Sequence, residues 1–167
     1  MAKTREMKLL ASLAGVVAGL AASGAGAAPD PRQLPYWASL KAPEVYMRVG
    51  PGEDYRINWV YHRQHLPLKV LRVMQNWRLV EDPEGARGWI MVNMLALGHD
   101  GYIIGQNPAE MHEAPDANSR LLWRLEPGVL GKLGDCGAGW CRFTVNGRAG
   151  YVRHDALWGA AELVAGR

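Results

Sequence analysis

The chain has 167 residues, with 19 Lys+Arg against 16 Asp+Glu, seven Trp, six Tyr and two Cys. The first 27 residues carry three of the basic groups and one of the acidic ones, so the remainder balances at 16 to 15. So balanced a chain is a poor candidate for nucleic-acid binding, which needs a concentrated positive face. Two cysteines are too few for a four-thiolate zinc site, and about 140 residues hold one average domain or two small ones.

Lys3, Arg5 and Lys8 precede an apolar run from Leu9 to Leu20, and Ala25-Gly26-Ala27 supplies a small-x-small cleavage pattern. This order reads as an export signal over 1–27, cut after Ala27 or Ala28, with no membrane association afterwards. An uncleaved anchor is the alternative, but the apolar run falls short of the roughly 20 strongly apolar residues of a comfortable span. Without an Arg-Arg pair, general secretion is the expected route, to the periplasm or the exterior. Pro29, Pro31 and Pro35 give 28–43 the character of an extended leader.

From Val45 onward, short apolar runs alternate with turn signals at roughly 8- to 12-residue spacing, an all-β pattern. Val45 and Met47 open a strand that Gly50-Pro51-Gly52-Glu53-Asp54 interrupts. Ile57, Trp59 and Tyr61 alternate, and Leu68 to Val73 forms the next strand. Gln75-Asn76 turns the chain into Trp77-Arg78-Leu79-Val80, and Asp82-Pro83-Glu84-Gly85 turns it into Gly88-Trp89-Ile90. After a short linker at 98–105, with Gly98-His99-Asp100-Gly101 as hinge, the pattern resumes and ends on the Asn146-Gly147 hairpin signal.

The second half repeats the first. Met47-Arg48-Val49-Gly50-Pro51 recurs as Met111-His112-Glu113-Ala114-Pro115, Ile57-Asn58-Trp59 as Leu121-Leu122-Trp123, and Gly88-Trp89-Ile90 as Gly150-Tyr151-Val152. The offset is 64 at Met47/Met111, 63 at Trp77/Trp140 and 62 at Trp89/Tyr151, the drift expected when turns change length while strands keep register. The predicted organisation is a first module over 44–97, a second over 106–159 and a tail at 160–167. About five short strands in so few residues can surround one core only as a small, strongly bent barrel.

Cys136 and Cys141 flank Gly137-Ala138-Gly139-Trp140, a hairpin geometry that sets the two across a ladder within disulfide reach. A disulfide is the expectation for an oxidising compartment. A pair of free thiols, a zinc pair with His154 and a redox pair are the alternatives.

These residues resemble a known family. Met47-Arg48-Val49-Gly50-Pro51-Gly52 resembles the opening signature of bacterial SH3-like domains, and Trp77-x-x-Val80 followed by Gly88-Trp89-Ile90 resembles their ending. Trp59-Val60-Tyr61-His62-Arg63-Gln64-His65-Leu66-Pro67 and Trp140-Cys141-Arg142-Phe143 with Leu157-Trp158-Gly159 resemble a two-module exported branch. The resemblance spans Val45 to Gly159 and implies two tandem SH3-like β-barrels. It also implies binding rather than chemistry, with a cell-wall peptide or an envelope protein as partner. Two departures stand out: His65 occupies a usual turn-Gly position, and the second module lacks the R-x-G-P core.

Gly50 and Gly52 are expected to let the first loop reverse. Tyr55, between Asp54 and Arg56, is the leading groove candidate, with Arg48, Arg56, Tyr46 and Tyr61 beside it. Arg63 and Arg72 could extend a basic rim for carboxylates. Trp77, Trp89, Trp140 and Tyr151 read as core, and Trp59 and Trp123 as core or inter-module packing. His62 and His65, three apart, point to opposite faces of a strand, and the reading assigns no metal and no cofactor. No Ser-His-Asp or Cys-His arrangement sits on a recognisable elbow, so catalysis finds no residues here. The alternatives to a binding module are a structural adaptor with two packed barrels and a regulator of an envelope enzyme.

Overall fold

The computed structural model describes residues 34–160; the export signal expected at 1–27 and the tail beyond Ala160 lie outside the described residues. Seven strands form the first unit: β1 (Tyr36–Leu40), β2 (Val45–Arg48), β3 (Ile57–Tyr61), β4 (Pro67–Met74), β5 (Trp77–Glu81), β6 (Arg87–Met91) and β7 (Leu95–Ala96). Seven more form the second: β8 (Asp100–Ile103), β9 (Ala109–His112), β10 (Leu121–Leu125), β11 (Leu130–Gly137), β12 (Trp140–Val145), β13 (Arg148–Arg153) and β14 (Leu157–Trp158). A single 3₁₀ turn precedes β7 and another precedes β14.

The first sheet runs β3-β2-β6-β5-β4-β1-β7 and the second β10-β9-β13-β12-β11-β8-β14. One strand order therefore occurs twice. A lone sheet can enclose a core only by curling on itself, and register shifts at Met47/Arg48, Val70/Arg72, Leu121/Trp123 and Leu133/Cys136 supply the bends. Each sheet is nevertheless open, because β3 and β7 in the first and β10 and β14 in the second are terminal strands. The all-β, two-module expectation holds, whereas closed barrels do not form.

Each unit has its own core. Leu40, Met47, Leu68, Val70, Val80 and Ile90 are fully buried in the first, and Ile103, Met111, Cys141, Phe143 and Val152 in the second. Met47 and Met111 take equivalent places, and a Cβ on Gly88 would lie 2.8 Å from the Arg48 carbonyl, as one on Gly150 would from that of His112. Both glycines are required by backbone approach at a strand crossing. Trp77, Trp89 and Trp140 are buried, and Tyr151 is half-buried.

Two segments differ from the sequence reading. Within the expected leader, Tyr36–Leu40 pairs with both β4 and β7 and buries Ala38 and Leu40. Within the expected linker, Asp100–Ile103 pairs with β11 and β14. Flanking Pro and Gly masked both strands, which gain their stability from partners far along the chain. Only Leu97-Gly98-His99 separates β7 from β8.

The units also touch. Trp37 packs edge-on against Trp158 with ring centroids 5.1 Å apart, and the Trp158 indole N–H donates to the Pro67 carbonyl at 3.1 Å. Arg63 donates to the Gly128 carbonyl and lies over the Tyr102 ring. His65 has a φ of 67°, the left-handed conformation that its usual glycine would take without strain. Its N–H bonds the Leu40 carbonyl at 2.9 Å, as that of Gly128 bonds Ile103 at 2.8 Å.

Candidate functional site

The loop from Val49 to Arg56 joins β2 to β3. It closes through Val49 N–H to the Arg56 carbonyl at 3.1 Å and Tyr55 N–H to the Gly52 carbonyl at 3.3 Å. The Arg48 guanidinium donates to the Tyr55 carbonyl at 2.7 Å, tying loop to strand with a charge-assisted bond. The chain turns tightly at these glycines, with Gly52 N–H bonded to the Gly50 carbonyl at 3.1 Å, although neither has a positive φ. A Cβ on Gly50 would overlap the Tyr55 ring, and one on Gly52 would lie 3.2 Å from it. The glycines form the seat of that ring, which stays 50 % exposed.

Structure and sequence thus bring Arg48 and Tyr55 together, with Arg56 exposed next in the chain. Tyr46 is exposed on the face of β2 opposite Met47, and its hydroxyl donates to Glu44 at 2.6 Å. That hydrogen bond holds the phenol above its ordinary pKa. Tyr61 lies in the core rather than along a groove: it is 5 % exposed and donates to Asp82 at 2.9 Å. Burial, reinforced by Asp82, pushes its hydroxyl pKa far up. Asp82 in turn accepts from Glu84 N–H at 3.0 Å and Ala86 N–H at 2.8 Å, so Tyr61 is a post that anchors the β5–β6 turn.

Of the other basic candidates, Arg72 is exposed on β4, and Arg63 is engaged between the units rather than on a rim. His62 faces Glu44 at 3.4 Å and His65 faces Asp100 at 3.8 Å; neither meets the other. Among the described residues, no cluster of three or more His, Cys, Asp or Glu could hold a metal ion. Cys136 and Cys141 are directly cross-strand and disulfide-bonded.

The second unit repeats the loop clamp with different chemistry. Glu113 N–H bonds the Arg120 carbonyl at 2.9 Å, and His112 Nδ1 meets the Ser119 carbonyl at 3.1 Å. His112 therefore does what Arg48 does, and Ser119 stands at the place of Tyr55. Without a tyrosine over it, this loop borders an open groove of about 410 Å³ whose lining includes Glu110, His112, Trp140, Arg153 and Asp155. The His112 ring stands edge-on to Trp140 at 5.5 Å, and Arg153 lies over that same indole. The shared offset of 64 pairs these residues, but the type changes at both positions hide the common role.

Trp59 and Trp123, expected inside or between modules, are 51 % and 45 % exposed. Both sit on terminal strands, where the alternating inner face runs out of sheet to cover it.

A pair of small, bent antiparallel sheets, each with a clamped first loop, defines a tandem SH3-like protein. The bacterial SH3 domain model matches the chain twice, over residues 41–95 and 105–159. The chain belongs to that family, one of binding domains, and the family and the disulfide together point to an extracytoplasmic protein. No curated protein matches it. Solved structures similar to it include NlpC2 from Trichomonas vaginalis, at 16 % identity and a TM-score of 0.34, covering 75 % of this chain and 48 % of that one. NlpC1 from the same organism is similar at 16 % identity and a TM-score of 0.35, covering 75 % and 46 %. The chain spans about half the length of those two proteins.

Proposed function

We propose that the protein is a non-catalytic binding module of the periplasm that recognises cell-wall peptide or a partner protein of the envelope through the first-loop groove of its first unit. One observation carries this reading: the Tyr55 ring rests on Gly50 while Arg48 grips its carbonyl at 2.7 Å. An aromatic face that is half exposed yet already positioned costs little ordering entropy on binding. Arg56, exposed beside it, offers a guanidinium to a ligand carboxylate. Family membership supports the cell wall as target. The mature protein is read as beginning after Ala27 or Ala28, delivered by general secretion.

Pelleting with purified cell-wall sacculi tests this. The intact protein is expected in the pellet, and Tyr55→Ala should bind about tenfold or more weakly with an unchanged thermal midpoint. Trp77→Ala is the unfolding control, since it opens a core cavity costing roughly 3–5 kcal/mol. Equal pelleting by wild type and Tyr55→Ala would remove the groove from consideration. A second reading, an adaptor presenting a fixed surface to another protein, is favoured by the Trp37–Trp158 packing between the units; no pelleting of the wild type would leave that reading in place.

A further inference from the structure

We infer that the second unit carries a separate peptide site, at the open margin of its sheet, that takes an extended acidic segment of another polypeptide. The two units differ at this margin. In the first, the inner end of β3 is filled by the Tyr61 ring, whose hydroxyl is held by Asp82 at 2.9 Å. In the second, the equivalent residue, paired with Ala109 as Tyr61 is with Val45, is Leu125. An open groove of about 390 Å³ lies beside it, between β10 and the β12–β13 hairpin. Met111, Trp123, Leu125 and Val145 give it apolar walls, and Arg124 and Arg148 its charge.

Charge complementarity identifies the occupant. Among the described residues, no carboxylate lines the groove. Arg124 is shared with Glu110 at 3.2 Å, but Arg148 has no carboxylate partner among the described residues and lies over the Trp123 indole, 4.3 Å from its centroid. Stacking orients a guanidinium while leaving its N–H edge free for a bidentate carboxylate. The first unit has Ala86 at the place of Arg148, judged from the Gly88/Gly150 alignment, so this feature belongs to one unit alone. Trp123 also lies on a terminal strand, whose one ladder partner among the described residues is β9. The outward N–H and C=O groups of β10 can extend the sheet to an added strand. An extended chain alternates its side chains; one set would enter the space at Leu125 while a Glu or Asp of the segment meets Arg148.

The probe is acetyl-Glu-Leu-Glu-Leu-Glu-amide, blocked at both ends so that only side-chain carboxylates are offered, with the all-Gln counterpart as control. Titration of the mature protein is followed by ¹H–¹⁵N NMR at the Trp123 indole and the Arg148 side chain. The Glu peptide should bind, more weakly at higher salt, and roughly tenfold or more tighter than the Gln peptide. Arg148→Gln, at an exposed position, should bring the Glu peptide down to the level of the Gln peptide, while Arg148→Lys retains part of the difference. Equal binding of the two peptides, indifference to Arg148→Gln, shifts confined to the Tyr55 loop, or no shifts at millimolar peptide would each overturn the inference. Shifts confined to the Tyr55 loop would move the peptide to the first unit; the other outcomes leave the sacculus test of Tyr55 untouched, so the two sites stand or fall separately.

Discussion

At Gly50 the requirement is space: a methyl group there would overlap the Tyr55 ring. Gly50→Ala should destabilise the protein by about 1–3 kcal/mol, the usual cost of overpacking. In a Tyr55→Ala background the cost should largely vanish, and a double-mutant cycle from denaturant midpoints reads that coupling. His65 presents the opposite case. Its φ of 67° burdens a side chain with the strain that glycine escapes, so His65→Gly should raise stability by about 1 kcal/mol. Both positions stood out in the sequence as departures from, or matches to, the turn chemistry. What the sequence could not convey was the reason at Gly50, because a ring folding back over its own loop leaves no periodic trace. Tyr61 was misplaced for a related cause: alternation puts it on the inner face with Trp59, but only the partner Asp82, 21 residues on, decides that it is buried while Trp59 is not.

The β5–β6 turn and the β11–β12 hairpin are secured by different means. The turn hangs on Asp82 and the Tyr61 hydroxyl, whose pKa in the folded state is raised above the ordinary 10.0. The neutral phenol is the form the fold favours, so its contribution is complete below pH 10 and is lost as pH climbs toward the folded-state value. Thermal midpoints of the wild type should fall above pH 10 more steeply than those of Tyr61→Phe. At neutral pH that variant should be less stable by about 1–3 kcal/mol, because Asp82 then keeps an unsatisfied buried oxygen. The hairpin is closed covalently by Cys136 and Cys141 across the ladder. Replacing both with Ser or Ala should cost about 2 kcal/mol, the lower end expected for a short loop, read as a shift in urea midpoint. Most strands were visible from alternation and turn residues. β1 and β8 were not, for their stability comes from lying between two distant partners rather than from their own composition.

Across the whole molecule, the duplicate architecture was evident in the chain because Met47/Met111 and Gly88/Gly150 are fixed by the same backbone approach in both units. The divergence between units was not: Arg48 and His112 share a task with unlike chemistry, and Tyr61 and Leu125 hold equivalent register positions with unlike side chains. The join is also held by side chains, chiefly Trp37, Trp158 and Arg63. Trp158→Ala should uncouple the units, turning one calorimetric unfolding transition into two; a single unchanged transition would show that the indole does not link them. The three-residue passage from β7 to β8 has its own outcome. With so little slack, and with Trp37 packed against Trp158 across the join, the two first loops are held at one separation, and any partner long enough to touch both halves meets them at a single fixed spacing.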